Sequence, residues 1–138
     1  MAAASEKQEP KGKYAAQTPW VLIVEDDLFM GKALSVKFSY EKISTKIAED
    51  GEAALDILKS GPLPSVVLLD LILPQKNGFE VLEEMKKAPD LKKIPVIVLS
   101  NLGDENDRQR SMELGAAEYL VKANVKIADV ISKVKSYL

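Results

Sequence analysis

From Pro19 onward the chain alternates between two hydrophobic patterns. Unbroken apolar runs appear at Trp20–Val24 (WVLIV), Val66–Asp70 (VVLLD) and Val96–Ser100 (VIVLS). Short runs of β-branched and aliphatic residues closed by turn residues predict strands buried on both faces. Ser44–Ala48, with Ile43, Thr45 and Ile47 alternating, predicts a further strand, and Tyr119–Lys122 (YLVK) another. Between these runs the apolar spacing turns helical. Leu28, Met30, Leu34 and Phe38 predict a helix from Leu28 to about Lys42, with Asp27 as its N-cap. Ala53, Ala54, Leu55 and Leu58 predict one over Glu52–Ser60, opened by Asp50-Gly51 and stopped by Gly61-Pro62. Phe79, Val81, Leu82 and Met85 predict one over Gly78–Lys87. A polar helix over Asp104–Leu114 ends at Gly115, and Ile127, Val130, Ile131 and Val134 line a last one over Val125–Leu138.

Strand and helix thus alternate five times with short loops. That pattern implies right-handed crossovers and a parallel sheet covered on both sides. The expected fold class is α/β, a doubly wound five-stranded parallel sheet. Its natural closure is the order 2-1-3-4-5 shared by flavodoxin-like sheets. Met1–Thr18 is Ala, Lys, Glu, Gln and Pro without hydrophobic period, and is expected to be a disordered tail. Residues 19–138 then form one domain.

Composition narrows the chemistry. Of 138 residues, 46% are hydrophobic, enough for a core in a single domain. A formal net charge of −2 offers no basic excess to neutralise phosphates, which argues against direct nucleic-acid binding. There is no cysteine, so disulfides and thiolate chemistry are excluded, and a cytoplasmic location suits the chain. There is no histidine either, which removes imidazole bases, Ser-His-Asp triads and His-ligated zinc. No apolar run approaches membrane-spanning length. Carboxylates, hydroxyls, lysines and a bound ion remain.

Those groups stand at the carboxyl ends of the expected strands, where open α/β sheets bind ligands. Glu25 and Asp26 follow the first strand, Asp70 closes the third, Ser100 the fourth and Lys122 the fifth. Taken singly, each has a bland reading: a cap, a turn former, a solvated lysine. Together they converge on one rim. Two carboxylates at about 4 Å repel by roughly 4 kcal/mol at an effective dielectric near 20, so such a cluster calls for raised pKa values or a cation. An all-oxygen donor set suits Mg²⁺ or Mn²⁺. A carboxylate beside a divalent ion, a hydroxyl and an ammonium can itself accept a phosphoryl group as an acyl phosphate.

In these features the chain resembles the receiver domain of two-component response regulators, over roughly Trp20–Leu138. The acidic pair after the first strand, D-L-I-L-P-Q-K-N-G from Asp70, Ser100, and the lysine after Y-L-V match that family in order and spacing. The resemblance implies that Asp70 is the phosphoacceptor and that Ser100 and Lys122 contact the phosphoryl group. It implies metal binding by Asp26 directly, by Glu25 mainly through water, by Asp70, and by the backbone carbonyl of Ile72. Tyr119 takes the aromatic switch position, moving inward as Ser100 is drawn to the phosphate. The donor would be a sensor histidine kinase or a histidine phosphotransfer protein. A downstream protein would read the surface of the fourth helix, fifth strand and fifth helix, a face that also offers a dimer contact. It carries Asp104, Glu105, Asp107, Arg108, Arg110, Lys126 and Lys133.

Three departures from the family pattern carry their own expectations. Lys122 precedes Ala123 where proline with a cis bond is usual, so the bond is either trans with a shifted loop or a strained cis bond. Asn101 stands where a small residue is usual and could narrow access to the site. Ile72 and Leu102 are apolar at positions that help set acyl-phosphate hydrolysis, so a long-lived phosphoryl group is expected. Three rivals share parts of this reading. One is a phosphorylation-independent interaction module. Another is a flavin-binding domain, whose phosphate Glu25-Asp26-Asp27 would repel. The third is a phosphohydrolase with a carboxylate nucleophile, for which no substrate cap is visible.

Overall fold

The computed structural model describes residues 18–138, so the expected tail lies outside the described residues except for Thr18. Its strands are β1 (Trp20–Val24), β2 (Ser44–Ala48), β3 (Val66–Leu69), β4 (Val96–Ser100) and β5 (Glu118–Val121). The helices are α1 (Leu28–Tyr40), α2 (Gly51–Ser60), α3 (Gly78–Lys87), α4 (Glu105–Glu113) and α5 (Ile127–Lys135). All strand pairs are parallel and their order is β2-β1-β3-β4-β5, as the alternation and the flavodoxin-like closure led one to expect.

The side-chain period of two divides the core cleanly. Leu22, Val24, Val67, Leu69, Val96 and Val98 point to one face, packing with Ala54, Leu55 and Leu58 of α2 and Phe79, Val81, Leu82 and Met85 of α3. Val21, Ile23, Val66, Leu68, Ile97 and Leu99 point to the other, against Leu34 and Phe38 of α1 and Val130, Ile131 and Val134 of α5. Each such side chain stabilises the fold by roughly 1.5–3 kcal/mol relative to exposure. α4 buries only Ser111, in keeping with its polar sequence. α1 departs from its expected face. Leu34 and Phe38 are buried, but Leu28 is 53% exposed, and Phe29, Val36 and Tyr40 also face solvent.

Register places the site. Val24 pairs with Ala48 and with Leu69, so the first three strands end level. Leu69 pairs with Val98, and Ser100 with Val121. Glu25, Asp70 and Lys122 are then each the first residue past a strand end, and Ser100 closes β4 beside them. Two expected boundaries shift. Asp70 lies beyond β3, its N–H donating to the Val24 carbonyl at 3.0 Å. Lys122 opens a single 3₁₀ turn, Lys122–Asn124, in place of a strand end. That turn and the extended Val125 delay α5 to Ile127. The Lys122–Ala123 bond is trans, since no cis bond occurs among the described residues.

Phe38 ties α1 to the sheet and is fully buried. Its replacement in Phe38→Ala should destabilise the domain by about 3–5 kcal/mol, read as a lower urea midpoint with unchanged slope.

Candidate phosphoacceptor site

The acids are brought together by the chain's own turns. Asp27 caps α1, its carboxylate accepting from the N–H groups of Phe29 and Met30. The tight entry into α1 leaves Glu25 facing inward at 2% exposure, and its Oε2 accepts from the Asp27 N–H at 3.2 Å. Asp26 stays exposed. Beyond β3 the loop returns on itself: the Gly78 N–H donates to the Leu71 carbonyl at 2.9 Å. Asn77 opens α3 with a reciprocal pair, its side chain accepting from Glu80 N–H while the Glu80 carboxylate accepts from Asn77 N–H. A Cβ on Gly78 would run into the Asp70 carbonyl and the Leu71 Cα, so glycine is required for this close turn.

Asp70, only 6% exposed, is held on both oxygens. Its Oδ1 accepts from the Ser100 hydroxyl at 3.0 Å and from the Ile72 N–H at 3.2 Å. Its Oδ2 accepts from Lys122 Nζ at 2.9 Å. The same ammonium reaches Glu25 Oε1 at 2.7 Å, with the lysine side chain 12% exposed. Lys122 therefore bridges two buried carboxylates. Carboxylate oxygens of Glu25, Asp26 and Asp70 lie within 4.8 Å of one another, an all-oxygen set suited to a hard divalent cation. One ammonium among three carboxylates leaves room in the charge balance for such an ion.

The electrostatics follow from burial and pairing. Burial pushes the Glu25 carboxyl above its ordinary value, and the Asp70 charge adds to this, while the bond from Lys122 opposes it. Burial pulls Lys122 down, but its bonds to Glu25 and Asp70 outweigh that and hold the ammonium above its ordinary value. Tyr119 is raised by burial and by the charges of Asp107, Asp104 and Asp70, so its hydroxyl stays a donor.

The expected residues Glu25, Asp26, Asp70, Ser100 and Lys122 all meet at this rim, and Ile72 reaches it through its N–H. Tyr119 does not touch Asp70. It is half-buried against the α2–α3 side of the core, and its Oη donates to the Leu102 carbonyl at 2.5 Å. The Leu102 N–H in turn donates weakly to Ser100 Oγ at 3.4 Å. Asn101 is exposed and Leu102 half-buried. Sequence reasoning missed the Ile72 N–H, the Leu102 backbone and the Lys122–Glu25 pair. The two backbone partners have no side-chain signal, and the ion pair is legible only as an unmatched lysine facing acids across the sheet.

The Glu25 carboxyl sets a pH dependence. Its folded-state value lies above the ordinary 4.5, so the stability it contributes is full below 4.5 and lost as pH rises through the folded value. Gln cannot ionise and escapes that loss. Glu25→Gln should therefore raise the urea midpoint at neutral pH, with the gain vanishing well below 4.5. Urea titrations at the two pH values check this, and a gain equal at both would contradict it.

The response regulator receiver domain family matches residues 21–135 of this chain. Response regulator Rcp1 of Synechocystis is 39% identical over 111 residues, covering 75% of this chain and 76% of Rcp1. A probable transcriptional regulator of Guillardia theta, ycf27, is 39% identical over 102 residues, covering 74% of this chain and 39% of the relative. The chain thus spans about two-fifths of the length of that regulator. Among solved structures, the Mn²⁺-bound form of Rcp1 superposes with a TM-score of 0.73 at 35% identity, over 86% of this chain and 91% of that one. With its sheet order, its rim of acids and the family match along nearly the whole described domain, this chain belongs to the response regulator receiver domains.

Proposed function

We propose that this domain is a phosphoacceptor in a two-component phosphorelay, with Asp70 taking a phosphoryl group from a phosphohistidine on another protein. The observation that carries the reading is the state of Asp70: a buried carboxylate with Oδ1 held by Ser100 and the Ile72 N–H, and Oδ2 facing the Lys122 ammonium. These donors already stand at the carboxylate that would receive the phosphoryl group, close enough to turn to the charge that moves onto its oxygens. In the transfer a bond forms between an Asp70 oxygen and phosphorus while the bond from phosphorus to the donor nitrogen breaks. The donor histidine lies outside this sequence, which contains none.

Glu25, Asp26, Asp70 and the Ile72 carbonyl would hold Mg²⁺ or Mn²⁺, which when bound neutralises the phosphoryl oxygens beside the acids. The Mn²⁺-bound form of the similar Rcp1 supports a divalent ion here. Leu28, Phe29 and Ile72, all exposed, flank the acids in sequence and offer an apolar rim to a protein donor. The domain acts on itself and is a signalling module in place of a turnover enzyme. A cytoplasmic setting goes with this reading, and no helix among the described residues is long and apolar enough to cross a membrane.

The readout follows from the bonds. Once Asp70 carries a phosphoryl group, Ser100 and Lys122 turn to its oxygens. Ser100 Oγ is tied to the Leu102 N–H and the Leu102 carbonyl to Tyr119, so the β4–α4 loop and β5 move together. A downstream protein, or a second copy of the chain, reads the α4–β5–α5 face that changes.

Two experiments test this. With a small-molecule phosphodonor and Mg²⁺, the protein should gain one phosphoryl mass and Asp70→Asn none; equal labelling of the variant would refute the assignment. Ile72 is 55% exposed and apolar, and cannot orient an attacking water. Ile72→Asn should shorten the phosphoryl lifetime by up to about tenfold, what one hydrogen bond of about 0.5–1.5 kcal/mol to an attacking water supplies. An unchanged decay rate would show that Ile72 does not protect the acyl phosphate.

A further inference from the structure

Gly51 opens α2 and is buried. A Cβ built on it would overlap the Lys76 carbonyl oxygen and stand 2.6 Å from the Lys76 Cβ and 2.7 Å from its carbonyl carbon. Backbone, not a yielding side-chain tip, therefore fills the space. Lys76 belongs to the loop between Asp70 and α3. That loop is pinned at three places. Its ends close through the Gly78 N–H to the Leu71 carbonyl, and Leu73 is sunk in the core. Its outer side rests on Gly51. Between the pins Gln75 adopts φ 65°, a left-handed conformation that a non-glycine residue keeps only when its surroundings hold it. Ile72 lies in the same loop, and its N–H holds Asp70 Oδ1.

We propose that Gly51 is a positioning residue for the Asp70 site: the absence of a side chain at the start of α2 lets the Lys76 backbone seat there, and this seat sets where the Ile72 amide meets Asp70. A methyl at residue 51 displaces Lys76 outward. Leu73 blocks the direct path, so the displacement passes through Gly78, two residues on, whose N–H holds the Leu71 carbonyl at 2.9 Å; that carbonyl and the Ile72 N–H share one peptide plane. The aim of the Ile72 N–H at Oδ1 is then lost, and with it the orientation of the carboxylate. The geometric part stands on the contacts alone; the consequence for phosphoryl transfer rests on the phosphoacceptor reading.

The test compares Gly51→Ala with Gly61→Ala. Gly61 caps the other end of α2, and a Cβ there meets nothing within 4 Å. The expected result is a displaced Ile72 amide resonance in Gly51→Ala only, with Mg²⁺ affinity weakened about ten- to a hundredfold, the usual effect of disturbing the support of a ligand set. Transfer from a small-molecule phosphodonor should fall alongside. A folded Gly51→Ala with an unmoved Ile72 amide and wild-type Mg²⁺ affinity overturns the proposal. Loss of stability alone would not move the amide or the affinity of the folded fraction. Should Gly51→Ala fail to fold, the wild-type protein decides. Coupling is reciprocal, so loading the site with Mg²⁺ and beryllofluoride should slow hydrogen exchange at Ala53 and Ala54, whose N–H groups bond Asp50 beside Gly51. Unchanged exchange there overturns the proposal. If wild-type protein takes no phosphoryl group, the failure lies with the phosphoacceptor reading, and the Ile72 amide still decides the role of Gly51.

Discussion

One ammonium carries the site. Lys122 Nζ lies 2.7 Å from a Glu25 oxygen and 2.9 Å from an Asp70 oxygen, with all three side chains largely out of water. Two buried carboxylates that close would repel strongly, and removing the cation between them would leave uncompensated charge worth about 3–5 kcal/mol. The rim is therefore a balanced device. Lys122 holds the acids in place, and any divalent ion or phosphoryl group that enters changes what the ammonium is needed for. This is why the lysine stands just past a strand. A residue on a flexible loop could not hold two oxygens at once.

The sheet supplies that precision. Parallel pairing puts the ends of β1, β2 and β3 level, and the pairing of Ser100 with Val121 brings Lys122 beside the hydroxyl that shares Asp70. None of these residues needs to be near another in sequence. Their convergence follows from strand order, and strand order follows from right-handed crossovers covering both faces. The hydrophobic runs that fill the core thus also fix where charge can appear. Asp70 sits one residue past an apolar strand, so its neighbours on either side are Leu69 and Leu71, both buried.

The strands were legible because fully buried strands leave unbroken apolar runs, and the helices because their inward faces repeat. The site side chains were legible because polar residues at the ends of such runs have little other reason to be there. What escaped was carried by backbone. The 3₁₀ turn at Lys122–Asn124 is too short to leave a periodic trace, so α5 was expected two residues too early. The outward turn of α1's start escaped for another reason: Leu28 fits the helical apolar spacing of Met30, Leu34 and Phe38, and only the geometry shows Leu34 and Phe38 buried with Leu28 left facing solvent. Asp50-Gly51 reads as a helix start whether or not anything packs on it.

The link from site to surface also runs through main chain. Ser100 Oγ serves two masters, donating to Asp70 and accepting from the Leu102 N–H. The Leu102 carbonyl then takes the Tyr119 hydroxyl at 2.5 Å. A hydroxyl has one proton to give, so drawing it from Asp70 to a new acceptor reorients Oγ and strains the already long 3.4 Å bond from Leu102. Burial of Tyr119, with the charges of Asp107, Asp104 and Asp70 nearby, keeps its proton in place. In the proposed switch, the bond from Tyr119 to the Leu102 carbonyl is what would carry a shift of the loop to the ring. A rotation at Ser100 would thus be felt at β5, an edge strand of the sheet among the described residues.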